Sequence, residues 1–198
     1  MPQGPNKLPN FIVVFSAVLI CFLAGYLVMF RFLNLNEKPI KCDAIVLFVG
    51  PSYQARLKEA HQLMKEGYTD ILIVPAYRRS YVMENGDVVR DLNPSDFQLD
   101  RTEYPKYYER THIEILEARK IMEELGFTSA IMVSAPTHMR RIKIISSKVF
   151  HPGKFQIRYI GSRYLRPQNL LSAFNLPDLT FAVTEAVKIV SFVMYQFV

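Results

Sequence analysis

A chain of 198 residues, half of them apolar, has material for one domain and a membrane segment but not for two domains. Its 24 Lys and Arg against 18 Asp and Glu give a formal charge of +6; the basic residues are dispersed, with no RNP, zinc-finger or long basic-helix signature, which argues against nucleic acid as partner. Two cysteines, one of them inside the apolar N-terminal run, exclude a disulfide-built domain and a cysteine zinc site.

Residues 1–10 form a short tail. Phe11 to Phe30, FIVVFSAVLICFLAGYLVMF, carries no charge. At about 1.5 Å per residue such a run spans a hydrocarbon core of about 30 Å. No face of it is polar and no small-x-small site follows, so it reads as a transmembrane anchor over 11–31, not as a core helix or a cleaved signal peptide. Lys7 precedes the anchor, while Arg31, Lys38 and Lys41 follow it; the positive-inside rule then points to a cytoplasmic C-terminal domain. Residues 32–41 read as a short polar linker.

DAIVLFVG (43–50) is a short continuous apolar run, as in a strand buried on both faces. After Pro51-Ser52 comes a helical pattern with Leu57, Ala60, Leu63 and Met64 inward, ended by Gly67. DILIV (70–74) is a second buried strand, halted by Pro75. Residues 77–105 form a polar insertion, in which Asn85-Gly86 signals a two-residue hairpin. That hairpin is expected as a flap near the C-terminal edge of the sheet. The helical period returns over 111–125, with Ile115, Ala118, Met122 and Leu125 on one face. Thr111 and Glu114 have capping-box spacing. His61 and His112 read as helix-surface residues. AIMVS (130–134) is a third strand. A helix with Met139, Ile142, Ile145 and Val149 inward follows, then FQIRYI (155–160) as a fourth strand. Residues 161–177 read as irregular. The last helix begins near Asp178, with Ala182, Ala186, Ile189, Val193 and Phe197 as its stripe. Glu185 and Lys188 argue against a second span.

The alternation predicts an α/β fold, a Rossmann-like open and mostly parallel sheet with helices on both faces, preceded by one transmembrane helix. Ligands of such sheets bind outside the carboxyl ends of the strands. Gly50–Arg56, Pro75–Arg79 and Ala135–Arg141 fall there. In the last of these, two arginines and a histidine open a helix, the end where cations are disfavoured, so an anion would relieve them. With Met139 and Ile142 inward, His138 and Arg141 share a side and Arg140 does not. His138 is then the candidate acid/base and Arg141 an anion ligand. Arg56 sits across the cleft, Gly50 and Ser52 lie in the first strand–helix turn, and Thr111 and Glu109 lie at the rim. Ser134 ends the third strand without a G-x-S-x-G elbow, so no hydrolase triad is indicated. No ligand spacing indicates a metal.

Taken in order, these segments resemble the bacterial domain-of-unknown-function family that includes SanA, YdcF and ElyC. Its D-x-I-V strand is matched by Asp43-Ala44-Ile45-Val46. Its R-x-x-x-A helix is matched by Arg56 and Ala60, and its T-x-x-x-A helix by the helix that begins at Thr111. Its V-T-S-x-x-H-M-x-R-A element is matched by Val133-Ser134-Ala135-Pro136-Thr137-His138-Met139-Arg140-Arg141, with Ser134 and Ala135 standing at its T-S, and its late E-x-x-K by Glu185 and Lys188. The resemblance covers residues 42–198. Val49-Gly50-Pro51 shortens the family's glycine-rich turn, Pro75-Ala76 replaces its S-G, and Ile142 replaces its alanine, which marks a divergent member.

The resemblance implies a single-pass protein of the bacterial inner membrane with an extracytoplasmic domain, opposite to the charge count. It implies binding of an anionic or phosphorylated envelope metabolite, and leaves open whether that metabolite is also acted on. Peptidoglycan or lipid-carrier metabolism, envelope barrier and antibiotic resistance are the associated roles. The expected partners are the membrane and an anionic small molecule or lipid-linked ligand. A non-catalytic envelope factor and an S-adenosylmethionine-type cofactor domain are the alternatives; the resemblance names no other cofactor.

Overall fold

The computed structural model describes residues 10–92, 109–165 and 176–195. The tail, the 93–105 part of the insertion, most of the expected irregular stretch and Phe197 lie outside the described residues. Among the described residues the α-helices and strands are α1 (Asn10–Leu33), β1 (Ala44–Leu47), α2 (Tyr53–Lys65), β2 (Ile71–Val74), β3 (Arg79–Glu84), β4 (Asp87–Asp91), α3 (Arg110–Glu124), β5 (Ser129–Ser134), α4 (Met139–Val149), β6 (Gln156–Gly161) and α5 (Leu176–Tyr195).

The strands form one sheet in the order β4-β3-β2-β1-β5-β6. β2, β1, β5 and β6 are parallel, whereas β3 and β4 are antiparallel additions. Because residues alternate across a strand, β1 feeds two cores. Ala44, Val46 and Phe48 pack with Ile115, Met122 and Ile145 of α3 and α4, while Ile45 and Leu47 pack with Ala60 and Leu63 of α2. Helices therefore cover both faces, which explains why the parallel strands read as unbroken apolar runs. The next strand after β1 lies on one side of it and β5 on the other, so chain direction reverses there. That reversal opens a crevice at the carboxyl ends of β1 and β5.

The structure corrects four local expectations. The Asn85-Gly86 hairpin forms, with both residues at positive φ (53° and 96°) as a tight primed turn requires. It is not a flap at the C-terminal edge: β3 pairs along β2, and its tip lies beside Asp70, at the opposite end of the strands. The 32–41 segment is not a free linker. α1 runs on to Leu33, and the chain is then strapped along β6. Glu37 N–H donates to the Tyr159 carbonyl, the Tyr159 N–H donates to the Glu37 carboxylate, and the Gly161 N–H donates to Asn36 Oδ1. The strap covers what would be a bare sheet edge. α5 keeps Ala182 and Ile189 of its expected stripe inward, but Glu185 and Phe192 are buried with them and Val193 is exposed. His112 is a buried residue, its ring edge-on to Phe192 at 5.4 Å between centroids.

Asp43, the first residue of the family-like strand pattern, is explained by the fold. Its carboxylate accepts the backbone N–H groups of Thr128 and Ser129 and the Ser129 hydroxyl, tying the start of β1 to the start of β5. Desolvation would raise this carboxyl, but those hydrogen bonds outweigh it and hold it below the ordinary range. It stands at the end of the sheet remote from the crevice.

α1 has the length and hydropathy to cross a membrane over Phe11–Leu33. Side chains from Phe11 to Gly25 are exposed, and the last turns, from Tyr26 to Leu33, pack on the domain.

Candidate functional site

β5 ends in a sharp change of direction. Ala135 is extended, Pro136–His138 form one 3₁₀ turn, and α4 begins at Met139. The turn sits close over β6: a Cβ on Gly161 would lie 2.7 Å from Pro136 Cα, so only glycine lets the two segments meet. His138 is thus presented just before α4, and Arg141 one turn along it.

Both side chains point at one carboxylate, that of Glu185 from α5. Arg141 Nε donates to Glu185 Oε2 at 2.6 Å and its Nη2 donates to Oε1 at 3.3 Å. His138 Nε2 lies 3.3 Å from Glu185 Oε1, and Lys188 Nζ lies 3.2 Å from the same oxygen. Arg141 Nη1 also donates to Glu109 Oε2 at 3.0 Å and to Thr111 Oγ1 at 2.9 Å. The anion that relieves the basic start of α4 is therefore supplied by the chain itself. Thr111 accepts from Arg141 and makes no side-chain cap, which corrects the capping-box reading; the residue preceding α3 is Glu109, in an extended conformation.

The electrostatics follow from burial and this clustering. Burial alone would raise the Glu185 carboxyl; His138 in its charged form, Arg141 and Lys188 outweigh it and hold it below the ordinary carboxylate range. Burial pushes the His138 imidazole down to about 4, against the pull of Glu185 and with the help of Arg141 and Arg56. At neutral pH the pair is a neutral imidazole against a carboxylate. Burial likewise works against the charge of Arg141, but Glu185 and Glu109 more than restore it.

Arg56 comes from α2, on the other side of the crevice. Its side chain is 1% exposed, and Nη1 donates to the carbonyls of Phe48 and Val49 at 3.2 Å each. Its Nε has no hydrogen-bond partner, and among the described residues no carboxylate forms an ion pair with it. Gly50 makes room: its φ of +148° is closed to other residues, and an added Cβ would stand 3.1 Å from Arg56 Nη1. Ser52, in the left-handed region at φ 60°, leads into α2 and stays exposed. Ser134 Oγ and Glu109 Oε1 are also buried without a partner.

These groups line a cleft of about 380 Å³ between β1, β5, α3 and α4, in which Gly50, Arg56, Glu109, Thr111, Ser134, His138 and Arg141 all take part. Ser52 lies in an adjoining chamber of mixed lining, which shares Pro51, Arg56 and His138 with the cleft; Asn34 and Thr137 are on its polar side, and Leu165, Phe30 of α1 and Phe181 of α5 are on its apolar side. All eight residues expected from the sequence thus reach this pair of chambers. Lys188 and Glu114 also line the cleft, and Glu185 is its hub; sequence reasoning did not choose these three as site residues. Glu185 carried a signal, as the acidic residue interrupting the inward stripe of an apolar helix. Glu114 was assigned to a cap. Among the described residues, no three of His, Cys, Asp and Glu are grouped to hold a metal ion.

Glu114 is 4% exposed, and burial pushes its carboxyl up to about 7, against the pull of Arg110, Arg56 and Arg141. A carboxyl raised in the folded state contributes stability below its unfolded value near 4.5, and loses it as pH rises through about 7. Glu114→Gln is therefore expected to be more stable than the parent at pH 8.5 by about 2–3 kcal/mol, the gain falling under about 1 kcal/mol at pH 5. Denaturant unfolding at the two pH values reads this directly.

Compared with models of known families, with curated proteins and with solved structures, the chain has no match.

Proposed function

We propose that this protein is a membrane-anchored, Rossmann-like α/β domain that binds an anionic, phosphate-bearing cell-envelope metabolite in the cleft outside β1 and β5. The observation that carries the reading is Arg56. A guanidinium buried to 1% exposure without an ion-pair partner among the described residues bears a large desolvation cost. Arg141 and Lys188 are paired directly with Glu185 and Glu109, whereas the direct partners of Arg56 are two carbonyls, and Glu114 and Glu185 act on it without an ion-pair contact and do not offset its burial. A phosphate in the cleft supplies the missing charge and accepts from the free Nε, with Ser134 and Thr111 hydroxyls at hand. The ligand thus moves from Arg141 and His138, where the sequence put it, toward Arg56.

The adjoining chamber favours a lipid-linked form of this ligand. Its apolar walls come partly from the membrane-side helix, so a phosphate at Arg56 continues into a hydrocarbon tail beside Phe30 and Phe181. The envelope assignment and the extracytoplasmic placement rest on the family resemblance alone; α1 supplies the anchor, and its flanking charges point to the opposite side.

His138 gives the cleft a base. A neutral imidazole held by a carboxylate accepts a proton from a water or hydroxyl attacking a phosphoryl centre; Glu185 stabilises the imidazolium, which returns the proton to the leaving oxygen as its P–O bond breaks. Because burial holds His138 near 4, this base stays available well below neutral pH.

The test is titration of the detergent-solubilised full chain with inorganic phosphate, pyrophosphate and dodecyl phosphate at fixed ionic strength. Saturable, mutually competitive binding is expected, with dodecyl phosphate at least about tenfold tighter than inorganic phosphate, since each buried methylene is worth about 0.8 kcal/mol. Binding of none of the three overturns the reading; equal affinity for phosphate and dodecyl phosphate removes its lipid-linked form.

A further inference from the structure

α5 is two-faced in an unusual sense. Its inward side holds Ala182, Glu185 and Phe192, and its outward side is uncharged and mostly apolar, with Thr180, Thr184 and Ser191 beside the apolar stripe. Val183, Val187, Val190 and Met194, spaced to fall on one stripe, are 48%, 59%, 61% and 65% exposed. The charged side chains described in α5 are Glu185 and Lys188; one is buried and the other is paired with it, so none lies on that stripe. A water-facing helix of a small domain normally carries charge there.

The position of α5 says what covers the stripe. Leu179, Ala182 and Ile189 pack against Tyr26, Met29, Phe30 and Leu33, the last two turns of α1. A hydrocarbon core of about 30 Å takes about 20 residues of helix. Counted from Phe11, those residues reach Phe30, so the turns that hold α5 lie at the level where the span leaves the bilayer. An apolar, uncharged stripe at that depth, continuous with the anchor, matches a helix lying in the membrane interface.

We infer that α5 is a second membrane-contacting element, seated in the bilayer interface through Val183, Val187, Val190 and Met194, so that the domain rests on the lipid surface that α1 crosses. This rests on α1 being a membrane span. The occupant is lipid; a second copy of the chain on the same stripe is the competing outcome.

The chain contains no tryptophan, so single introduced tryptophans report without background. The full chain is reconstituted in phosphatidylcholine vesicles with or without acyl-brominated lipid, as Val18→Trp in α1, Val190→Trp and Met194→Trp in α5, and Val88→Trp on the exposed β4. Brominated lipid is expected to quench Val18→Trp strongly, Val190→Trp and Met194→Trp at least about twofold with blue-shifted emission, and Val88→Trp hardly at all. If Val18→Trp is quenched but both α5 reporters behave as Val88→Trp, the inference fails while the anchor stands. If Val18→Trp is not quenched, the anchor reading fails, and the inference with it. Blue-shifted α5 emission without quenching assigns the stripe to a protein partner and also overturns it.

Discussion

Glu185→Ala should destabilise the protein by about 3–5 kcal/mol, the cost of removing one partner from a buried ion pair. The carboxylate is fully buried and holds Arg141 through two hydrogen bonds, with His138 and Lys188 within 3.3 Å. Without it, Arg141 keeps only Glu109 and Thr111, and α5 loses its polar attachment to α4. The replacement of both partners by apolar residues, Arg141→Met with Glu185→Leu, should recover most of the loss, because desolvation offsets much of what a buried pair gains. Equilibrium unfolding of the parent, the single and the double variant separates these terms. A Glu185→Ala loss below about 1 kcal/mol would show that the hub does not hold the helices together. The sign of the pH dependence is also set. A carboxyl held below its ordinary range contributes stability above its unfolded value that is lost as pH falls through the folded one, so the parent and Glu185→Gln should converge in acid.

Arg56→Met should do the reverse: leave the fold nearly untouched and abolish phosphate binding. Methionine fills much of the buried volume and removes a guanidinium that forms no direct ion pair among the described residues. The Phe48 and Val49 carbonyls lose a donor, at about 1 kcal/mol, and relief of the buried charge offsets it. The unfolding midpoint should therefore stay within about 1 kcal/mol of the parent. Loss of a desolvated charge contact costs about 2–5 kcal/mol, which lowers phosphate affinity at least about 30-fold. Arg56→Lys keeps the charge and should retain part of the affinity. Phosphate binding by Arg56→Met at parental strength would remove Arg56 from the site.

The sheet was legible because its parallel strands are buried on both faces. AIVL, ILIV and AIMVS leave no alternation to misread, and Gly67 and Gly126 end the helices between them. The crevice followed from that order alone. What the sequence hid was pairing across distance. Nothing local says that Glu185, far along the chain in an apolar helix, answers Arg141, or that Thr111 spends its hydroxyl on the same guanidinium and not on a cap. The role of Arg56 was hidden for the opposite reason: an arginine on a helix is ordinarily at the surface, and its burial depends on Gly50 leaving room for the guanidinium. The hairpin was found by its turn chemistry and misplaced, because turn type fixes how two strands meet but not which strand they join.

The stretch from Asn34 to Lys41 has a mechanical consequence. Arg140 Nε donates to the Phe32 carbonyl and its guanidinium lies 4.5 Å from the Phe32 ring centre, while Lys143 Nζ lies 2.7 Å from Glu37. Together with the bonds to Tyr159 and Gly161, these join α1 to the sheet as a bracket joins a shelf to a wall. A domain on a loose tether sweeps a hemisphere above the lipid and meets ligands at many heights and angles. With α1 in a bilayer, as proposed, this one would hold a single height and a single heading, and the proposed ligand would meet Arg56 and His138 from one side.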